Sequence, residues 1–285
     1  MVCAGEEGRS AAFRSPIWNG MSLEDWLSAA GAFVYQWTAA PLRQAEVAQF
    51  CANQYLFPGT IPQTLGELAV SQSLARYRIR STMAGLAERN TGSGFDEVKG
   101  LQGDYETVIA SGAVLTAAPT AGQALLMLLD GLQPWREVRL VLDRHHILPL
   151  LGLLGEAEPL LPVHVLDSDA FVSLGTVVPV VSQESEGVLI ASIKVAMDSG
   201  KAYEVDIPQG ALRRLIIPPG EAVSLGLEPI SGADVGAGPG VSRTIKVRGG
   251  VLGVVIDARG RPLNLPKDDE ARIERLRSWL WVLGG

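Results

Sequence analysis

A short apolar strand, three small residues and a helix form the stretch of this sequence best suited to hold a ligand. Residues 108–134 read VIASGAVLTAAPTAGQALLMLLDGLQP, with Ser111, Gly112 and Ala113 where the strand ends. Small residues let the backbone approach a ligand, and the following helix offers unpaired backbone N–H groups at its N-terminus. The corner could hold a nucleotide, or its small residues could only allow strand and helix to pack closely.

Two aspartates follow the next two apolar segments of the chain. Asp143 follows VRLVL, and Asp167 follows VHVL. Ligands of open parallel sheets bind beyond the carboxyl ends of the strands, so either carboxylate could accept a ribose hydroxyl or hold a water on a metal. Aspartates at such positions also cap turns. The local spacing leaves both interpretations open.

Two further motifs fit structural roles better than chemical ones. His145 and His146 are neighbours and do not share a helix face, so capping or packing at a helix start is preferred over metal ligation. The stretch GADVGAGPGVSR joins two β segments and ends in Arg243, whereas a phosphate loop runs from a strand into a helix and carries a Lys. We expect a tight loop there, no metal site and no catalytic constellation.

Composition indicates a folded, acidic protein. The 285 residues are 47% hydrophobic and 19% charged, with a formal net charge of −7. Nucleic acid and membrane are therefore not expected as partners, because phosphate binding needs clustered Lys and Arg, and prolines and glutamates interrupt the apolar run at 148–166. Two cysteines without a Cys-x-x-Cys motif, and charges at Glu6, Glu7 and Arg9 instead of an apolar leader, predict a cytoplasmic location.

The first predicted domain, residues 1–167, is helical at first and then α/β. Helices are expected from Pro41 to Phe57 and from a capping box formed by Thr64 and Glu67. A β-α-β-α-β pattern follows, which predicts a parallel core with right-handed crossovers. The three expected strands of this core lie near 106–110, 138–142 and 162–166.

The second predicted domain, residues 168–285, is antiparallel β with a C-terminal helix. Strand-length apolar runs are separated by Gly and Pro, and Gly249-Gly250 is a two-residue hairpin signal. The final helix is expected over 268–283, with Asp268 as its cap. Its apolar face is expected to contain Ile273, Leu276, Leu280 and Leu283.

Several segments, in order over about residues 41–285, resemble one family. They look like the C-terminal half of glutamate mutase L proteins, which are accessory proteins of adenosylcobalamin-dependent glutamate mutase (methylaspartate mutase) and are unrelated to the mismatch-repair protein of similar name. The segments are ANQYLFPGTIPQTLGELAVSQSLAR, YETVIASGAVLTAAPTAGQALLMLLDGLQP, RLVLDRHHILPLLGLL, VLDSDAFVSLGTVVPV, DVGAGPG and GGVLGVVIDARGRPL.

The resemblance implies a fold and a site. The family is similar to the actin/Hsp70/sugar-kinase ATPase superfamily, in which two lobes close on ATP and a strand–Gly-Gly–helix corner contacts the adenosine. ASGAVLTAAP matches that corner, so the resemblance implies cofactor contacts by Ser111, Gly112 and Ala113, with Asp143 beside them. The implied fold class is α/β plus β: a helical N-terminal segment and a parallel β-α-β-α-β core (a partial actin-like ATPase lobe), then an antiparallel β domain and a C-terminal helix.

Two departures from the family pattern shape the expected function. Gly112-Ala113 replaces two adjacent glycines, and no Asp-x-Gly phosphate loop occurs before residue 41. Positioned charge on the phosphates supplies most of the catalysis of phosphoryl transfer. The expectation is therefore a shortened, non-catalytic accessory protein that holds ATP or ADP weakly and assists an adenosylcobalamin-dependent mutase. The alternative is a non-enzymatic module that binds a protein partner through its C-terminal β domain.

Overall fold

A computed structural model describes residues 2–4, 10–12, 22–89, 94–158, 160–166 and 168–284. The helices are α1 Leu23–Trp37, α2 Gln44–Leu56, α3 Leu65–Arg89, α4 Ala113–Thr116, α5 Ala121–Leu132, α6 Leu148–Ala157, α7 Leu160–Leu166 and α8 Asp269–Val282. The strands are β1 Val2–Ala4, β2 Ser10–Ala12, β3 Phe95–Asp96, β4 Gly100–Leu101, β5 Thr107–Ala110, β6 Val138–Asp143, β7 Phe171–Pro179, β8 Leu189–Met197, β9 Ala202–Pro208, β10 Leu212–Leu215, β11 Ala222–Pro229, β12 Arg243–Arg248 and β13 Val254–Asp257.

The N-terminal helices α1, α2 and α3 share a small apolar core. The two helices expected in this part of the chain, α2 and α3, are confirmed. Thr64 Oγ1 accepts a hydrogen bond from the Glu67 backbone N at 3.1 Å, while the Glu67 carboxylate accepts one from the Gln63 backbone N at 2.6 Å. These bonds satisfy donors that a helix start leaves unpaired, so α3 begins where its sequence predicts. The core shared by α1, α2 and α3 consists of Ala30, Val34, Val47, Phe50, Cys51, Val70 and Leu74.

A seven-stranded sheet forms the middle layer, in the order β10-β13-β7-β6-β5-β1-β2. The predicted parallel pairing of the first two α/β strands is confirmed: β5 lies parallel to β6, with Ala110 opposite Leu142. Strand β7 then pairs antiparallel to β6, and β13 pairs parallel to β7. The sheet therefore continues from the segment before residue 167 into the segment after it.

The predicted third parallel strand at 162–166 is wrong, because these residues belong to helix α7. A short apolar run such as VHVL does not distinguish strand from helix by periodicity alone. Pro162 lies in the first turn of α7, where its missing N–H costs no helical hydrogen bond. The place beside β6 is taken by β7, a longer strand whose second half is buried.

The second layer of β structure is a four-stranded antiparallel sheet in the order β12-β11-β8-β9. Alternation along the strands of the seven-stranded sheet directs neighbouring side chains to opposite faces. Val177 and Val255 belong to the core beneath the helices, whereas Val178, Val254 and Ile256 belong to the core between the two sheets. The mainly antiparallel character predicted for 172–258 is confirmed, with the β7–β13 pair as a parallel exception.

The predicted hairpin at Gly249-Gly250 is wrong. Strand β12 pairs with β11 in one sheet, whereas β13 pairs with β10 and β7 in the other. These glycines instead let the chain cross between the sheets at close range. A Cβ at Gly249 would lie 2.5 Å from the Pro218 carbonyl oxygen, and one at Gly250 would lie 2.5 Å from the Ser173 carbonyl oxygen.

Helix α8 closes the helical side of the fold. Its predicted cap is confirmed, since Asp268 Oδ1 accepts a hydrogen bond from the Ala271 backbone N at 2.9 Å. Leu276 and Leu283 are buried as expected. Ile273 and Leu280 are only half-buried, because the buried positions of the helix face also include Arg272 and Trp279.

Candidate functional site

The candidate site is the corner where β5 and β6 end side by side. Ala110 lies opposite Leu142 in the parallel pair, so Ser111 and Asp143 follow at the same edge of the sheet. This edge is the carboxyl end of both strands, where ligands of open α/β sheets bind. The structure therefore brings the predicted residues Ser111, Gly112, Ala113 and Asp143 together, whereas Asp167 lies outside the described residues.

The backbone of the corner is open above Gly112. Gly112 caps the short helix α4, and its carbonyl oxygen accepts a hydrogen bond from the Thr116 backbone N at 3.0 Å. A Cβ built at Gly112 would meet only Leu115 Cδ1, at 4.0 Å. Ser111 and Gly112 are half-buried and Ala113 is exposed. A planar ligand could therefore approach this backbone without displacing a neighbour.

Asp143 organises the loop beside the corner. Its side chain is completely buried. The carboxylate accepts hydrogen bonds from the backbone N atoms of His145 at 3.3 Å, Ile147 at 3.1 Å and Leu148 at 3.0 Å. These bonds hold the turn after β6 and tie the first residue of α6 to the end of the strand. Asp143 therefore caps the turn that follows β6, which is one of the two roles that its position suggested.

His146 also belongs to the corner, a position that was not predicted from the sequence. Its backbone is left-handed, with φ of 55°, and its side chain is exposed. Ser111 Oγ lies 2.8 Å from His146 Nδ1, a hydrogen bond, and Thr116 Oγ1 lies 3.5 Å from His146 Nε2. The corner therefore presents a hydroxyl and an imidazole next to open backbone. The available signal was the position of His146, three residues after the strand-terminal Asp143.

The donor set of the corner suits hydrogen bonding better than metal ligation. Across the described ranges, no group of three or more His, Cys, Asp or Glu side chains could hold a metal ion. Hydroxyl, imidazole and backbone groups are the polar contacts by which proteins recognise sugar and base edges of small ligands. The corner can therefore orient such a ligand through hydrogen bonds.

The glycine-rich loop is a structural turn, as the sequence predicted. Asp234 Oδ1 accepts hydrogen bonds from the backbone N atoms of Gly236 at 2.7 Å and Gly238 at 3.0 Å. Arg243, at the end of the loop, forms an ion pair with Glu137, which lies just before β6. The loop thus fastens the four-stranded sheet to the α/β part of the fold.

A buried network of ion pairs lies at the opposite end of the seven-stranded sheet. Asp130 Oδ2 accepts from Arg76 Nε at 2.7 Å, and Asp130 Oδ1 accepts from Arg259 Nη1 at 2.8 Å. Asp257 accepts from Arg259 at 2.9 and 3.0 Å and from Arg261 at 2.8 Å. The Arg259 guanidinium also lies 4.5 Å from the centre of the Trp279 ring. The network therefore joins α3, α5, α8 and the end of β13.

The electrostatics of this network favour its charged form. Burial alone would raise the pKa of Asp257, but Arg259 and Arg261 outweigh it and hold that pKa well below its usual range. Burial likewise opposes the charge of Arg259, but Asp257 and Asp130 raise the pKa of this guanidinium. Because the carboxylates and guanidinium groups bind one another, we assign the network a structural role.

The protein therefore has three layers: helices, a mixed sheet and an antiparallel sheet. A corner suited to a ligand lies at the carboxyl edge of the parallel pair of β5 and β6. No helix in the described part of the chain has the length and apolar character to cross a membrane.

Residues 20–170 match the model of the family described as MutL protein, the glutamate mutase L family. This match covers more than half of the chain, and the chain belongs to this family. The corner lies inside the matched range, and all of the β structure after residue 170 lies outside it. Comparisons with curated proteins and with solved structures find no match.

Proposed function

We propose that this protein is an accessory protein of an adenosylcobalamin-dependent mutase, and that it holds ATP or ADP weakly at the corner around Ser111, Gly112 and Ala113. Two observations support the proposal. The chain belongs to the glutamate mutase L family. The corner lies in the matched part, at the edge of the sheet where α/β proteins place their ligands.

Each residue of the corner has a role in this proposal. The open space above Gly112 admits the adenosine, and Ala113 leaves the start of α4 accessible. Ser111 and His146, already joined by a hydrogen bond, orient the ligand through the hydroxyl and the imidazole. Asp143 contributes through the backbone N–H groups that it binds, because they fix the loop that carries His146.

Weak binding without turnover follows from the forces available. A helix N-terminus contributes about 0.3–1 kcal/mol per charge near a surface, whereas micromolar binding requires about 8 kcal/mol. Positioned charge on the phosphates supplies most of the catalysis of phosphoryl transfer, and the corner residues Ser111, Gly112, Ala113, Asp143 and His146 include no Lys or Arg. We therefore propose a weak nucleotide contact at this corner without turnover there.

The test is calorimetric titration of the full chain with ATP and ADP, together with a phosphate-release assay. We expect a roughly millimolar dissociation constant and no phosphate release. Gly112→Val should abolish binding, because its side chain would fill the open space above the corner. Gly152→Val is the control for an added side chain, since a Cβ at this α6 glycine meets no atom within 4 Å, and circular dichroism of both variants checks folding because Gly112 has φ of 159°. Ser111→Ala, which keeps the backbone unchanged, should weaken binding.

Three outcomes would overturn parts of the proposal. Micromolar binding with Mg²⁺-dependent hydrolysis that Gly112→Val abolishes would show a catalytic site. Equal binding by the Gly112 and Gly152 variants would place the nucleotide elsewhere. Absence of binding at millimolar nucleotide would leave a packing corner and favour the alternative, a non-enzymatic module that binds a protein partner through its β domain.

A further inference from the structure

Helices α6 and α7 together expose a group of large apolar side chains. Five of its side chains, Leu150, Leu153, Leu160, Val163 and Leu166, are 44% to 72% exposed, and none of the described residues of α7 is buried. We call these five residues the leucine hairpin. Their exposed area is roughly 500 Å² per chain, as large as the largest apolar patches of soluble monomers.

We propose that the leucine hairpin is a homodimer interface, in which the α6–α7 pairs of two copies pack as a four-helix bundle around a two-fold axis. The area is the first argument. Two copies of this patch would bury about 1,000 Å², which reaches the size at which specific protein–protein interfaces begin. Helices α6 and α7 contact each other, and helix pairs joined by short connections are the units from which four-helix bundles are built.

Charge is the second argument for a second copy as the occupant. Residues 148–155 read LPLLGLLG and residues 160–166 read LLPVHVL, with His164 as their one ionisable side chain, while Glu156 and Glu158 lie at the C-terminal end of α6 outside these two segments. In a two-fold interface each residue near the axis meets its own copy, so any fixed charge there would face a like charge. An uncharged patch avoids this repulsion and is complementary to itself.

A membrane fits this surface less well than a second copy does. Helices that lie on membranes combine an apolar face with Lys and Arg on the polar face, and they bind anionic lipid partly through these charges. Neither segment of the hairpin contains Lys or Arg, and the chain has a net charge of −7. Anionic lipid would therefore repel the protein without gaining compensating contacts.

Sedimentation velocity of the full chain, from about 1 to 100 µM, tests the proposal. We expect wild type to sediment with twice the monomer mass at the upper concentrations. Leu153→Glu should raise the dimer dissociation constant about 100-fold or more, because it opposes two carboxylates across an apolar interface. The matched control is Ile61→Glu, since Ile61 is 71% exposed and lies between α2 and α3. This variant should still dimerise like wild type.

Circular dichroism and thermal unfolding of dilute samples verify that both variants fold. A monomeric wild type at every concentration would overturn the proposal, as would a Leu153→Glu chain that dimerises like wild type. Equal loss of dimer in both variants would place the interface elsewhere. If wild type stays monomeric in solution but sediments with anionic or neutral vesicles, the leucine hairpin binds a membrane and not a second copy. The proposal does not depend on nucleotide binding, so each can fail alone.

Discussion

Replacement of Asp257 by Asn should destabilise the fold far more than loss of an exposed ion pair. The Asp257 carboxylate is completely buried and accepts three side-chain hydrogen bonds from Arg259 and Arg261 and one from the Arg259 backbone N. Asn keeps the size of the side chain but removes its charge and one acceptor oxygen. Arg259 would then keep only the carboxylate of Asp130, which also binds Arg76, and Arg261 would keep only the carbonyl oxygens of Pro134 and Gly260.

The expected loss of unfolding free energy is about 3–5 kcal/mol, the usual cost of removing one partner from a buried ion pair. Unpaired buried charge dominates this cost, because Arg cannot release its proton inside a protein. By contrast, the exposed pair of Lys194 and Glu228 should contribute little, because water screens its charges. Glu228→Gln is therefore the matched control for removal of a carboxylate charge.

Urea denaturation of wild type, Asp257→Asn and Glu228→Gln measures these differences at pH 7. The same titrations at lower pH test the electrostatic cause. The pKa of Asp257 is held below its usual range in the folded protein, so its stabilising effect is complete above its unfolded pKa of about 3.9. The effect is lost as pH falls through the lower folded pKa, since the unfolded chain then binds more protons.

The stability difference between wild type and Asp257→Asn should thus stay constant from pH 7 to roughly pH 5 and shrink below pH 4. A loss below 1 kcal/mol at pH 7, equal to that of Glu228→Gln, would mean that the buried Asp257 carboxylate stabilises the fold no more than an exposed one. A difference that does not change with acid would show that packing, and not charge, explains the effect.

Three further predictions concern packing and burial. Gly131→Ala should lower the unfolding free energy by about 1–3 kcal/mol, because its Cβ would lie 2.7 Å from the Ile79 side chain of α3. Gly85→Ala, whose Cβ would lie in open space, should raise the unfolding free energy by up to about 1 kcal/mol. Urea titrations measure both. Leu276→Ala should cost about 2–5 kcal/mol, and half-buried Leu280→Ala clearly less. Burial raises the pKa of the Cys51 thiol to about 12, so alkylation of its peptide at pH 8, followed by mass spectrometry, should be slow until urea unfolds the chain.

Each of these predictions has a result that contradicts it. Equal stability of the Gly131 and Gly85 variants would mean that α3 and α5 do not pack as closely as described. A cost for Leu280→Ala equal to that for Leu276→Ala would restore the fully buried face that the sequence suggested. Rapid alkylation of native Cys51 would show that the core of the helical bundle opens readily.

Features that depend on local chemistry were predictable from the sequence. The helix starts at Thr64 and Asp268 follow from side chains that bind nearby backbone N–H groups, within four residues in each case. The β5–α corner follows from an apolar strand, small residues and a helix in direct succession, and its meeting with Asp143 follows from the parallel pairing of adjacent strands. These signals need no knowledge of the distant chain.

Features that depend on distant partners were not predictable in the same way. Asp130 and Arg259 are 129 residues apart, so nothing near either residue indicates that they meet. The run before Asp167 became a helix because β7 occupied the place beside β6, a competition that VHVL alone does not reveal. At Gly249-Gly250, the close approach of the Pro218 and Ser173 carbonyl oxygens requires glycine, just as a hairpin turn would. His146 reached the corner through a left-handed turn held by Asp143.

Amide hydrogen exchange with and without saturating ATP shows whether a nucleotide binds at the corner of β5 and β6. Binding protects the backbone that it orders. We expect slower exchange in peptides that cover 110–117 and 143–148, and the same protection pattern when Gly152 is replaced by Val. We expect no such protection in Gly112→Val. Protection confined to other segments, or unchanged exchange throughout the chain at saturating ATP, would rule out nucleotide binding at this corner.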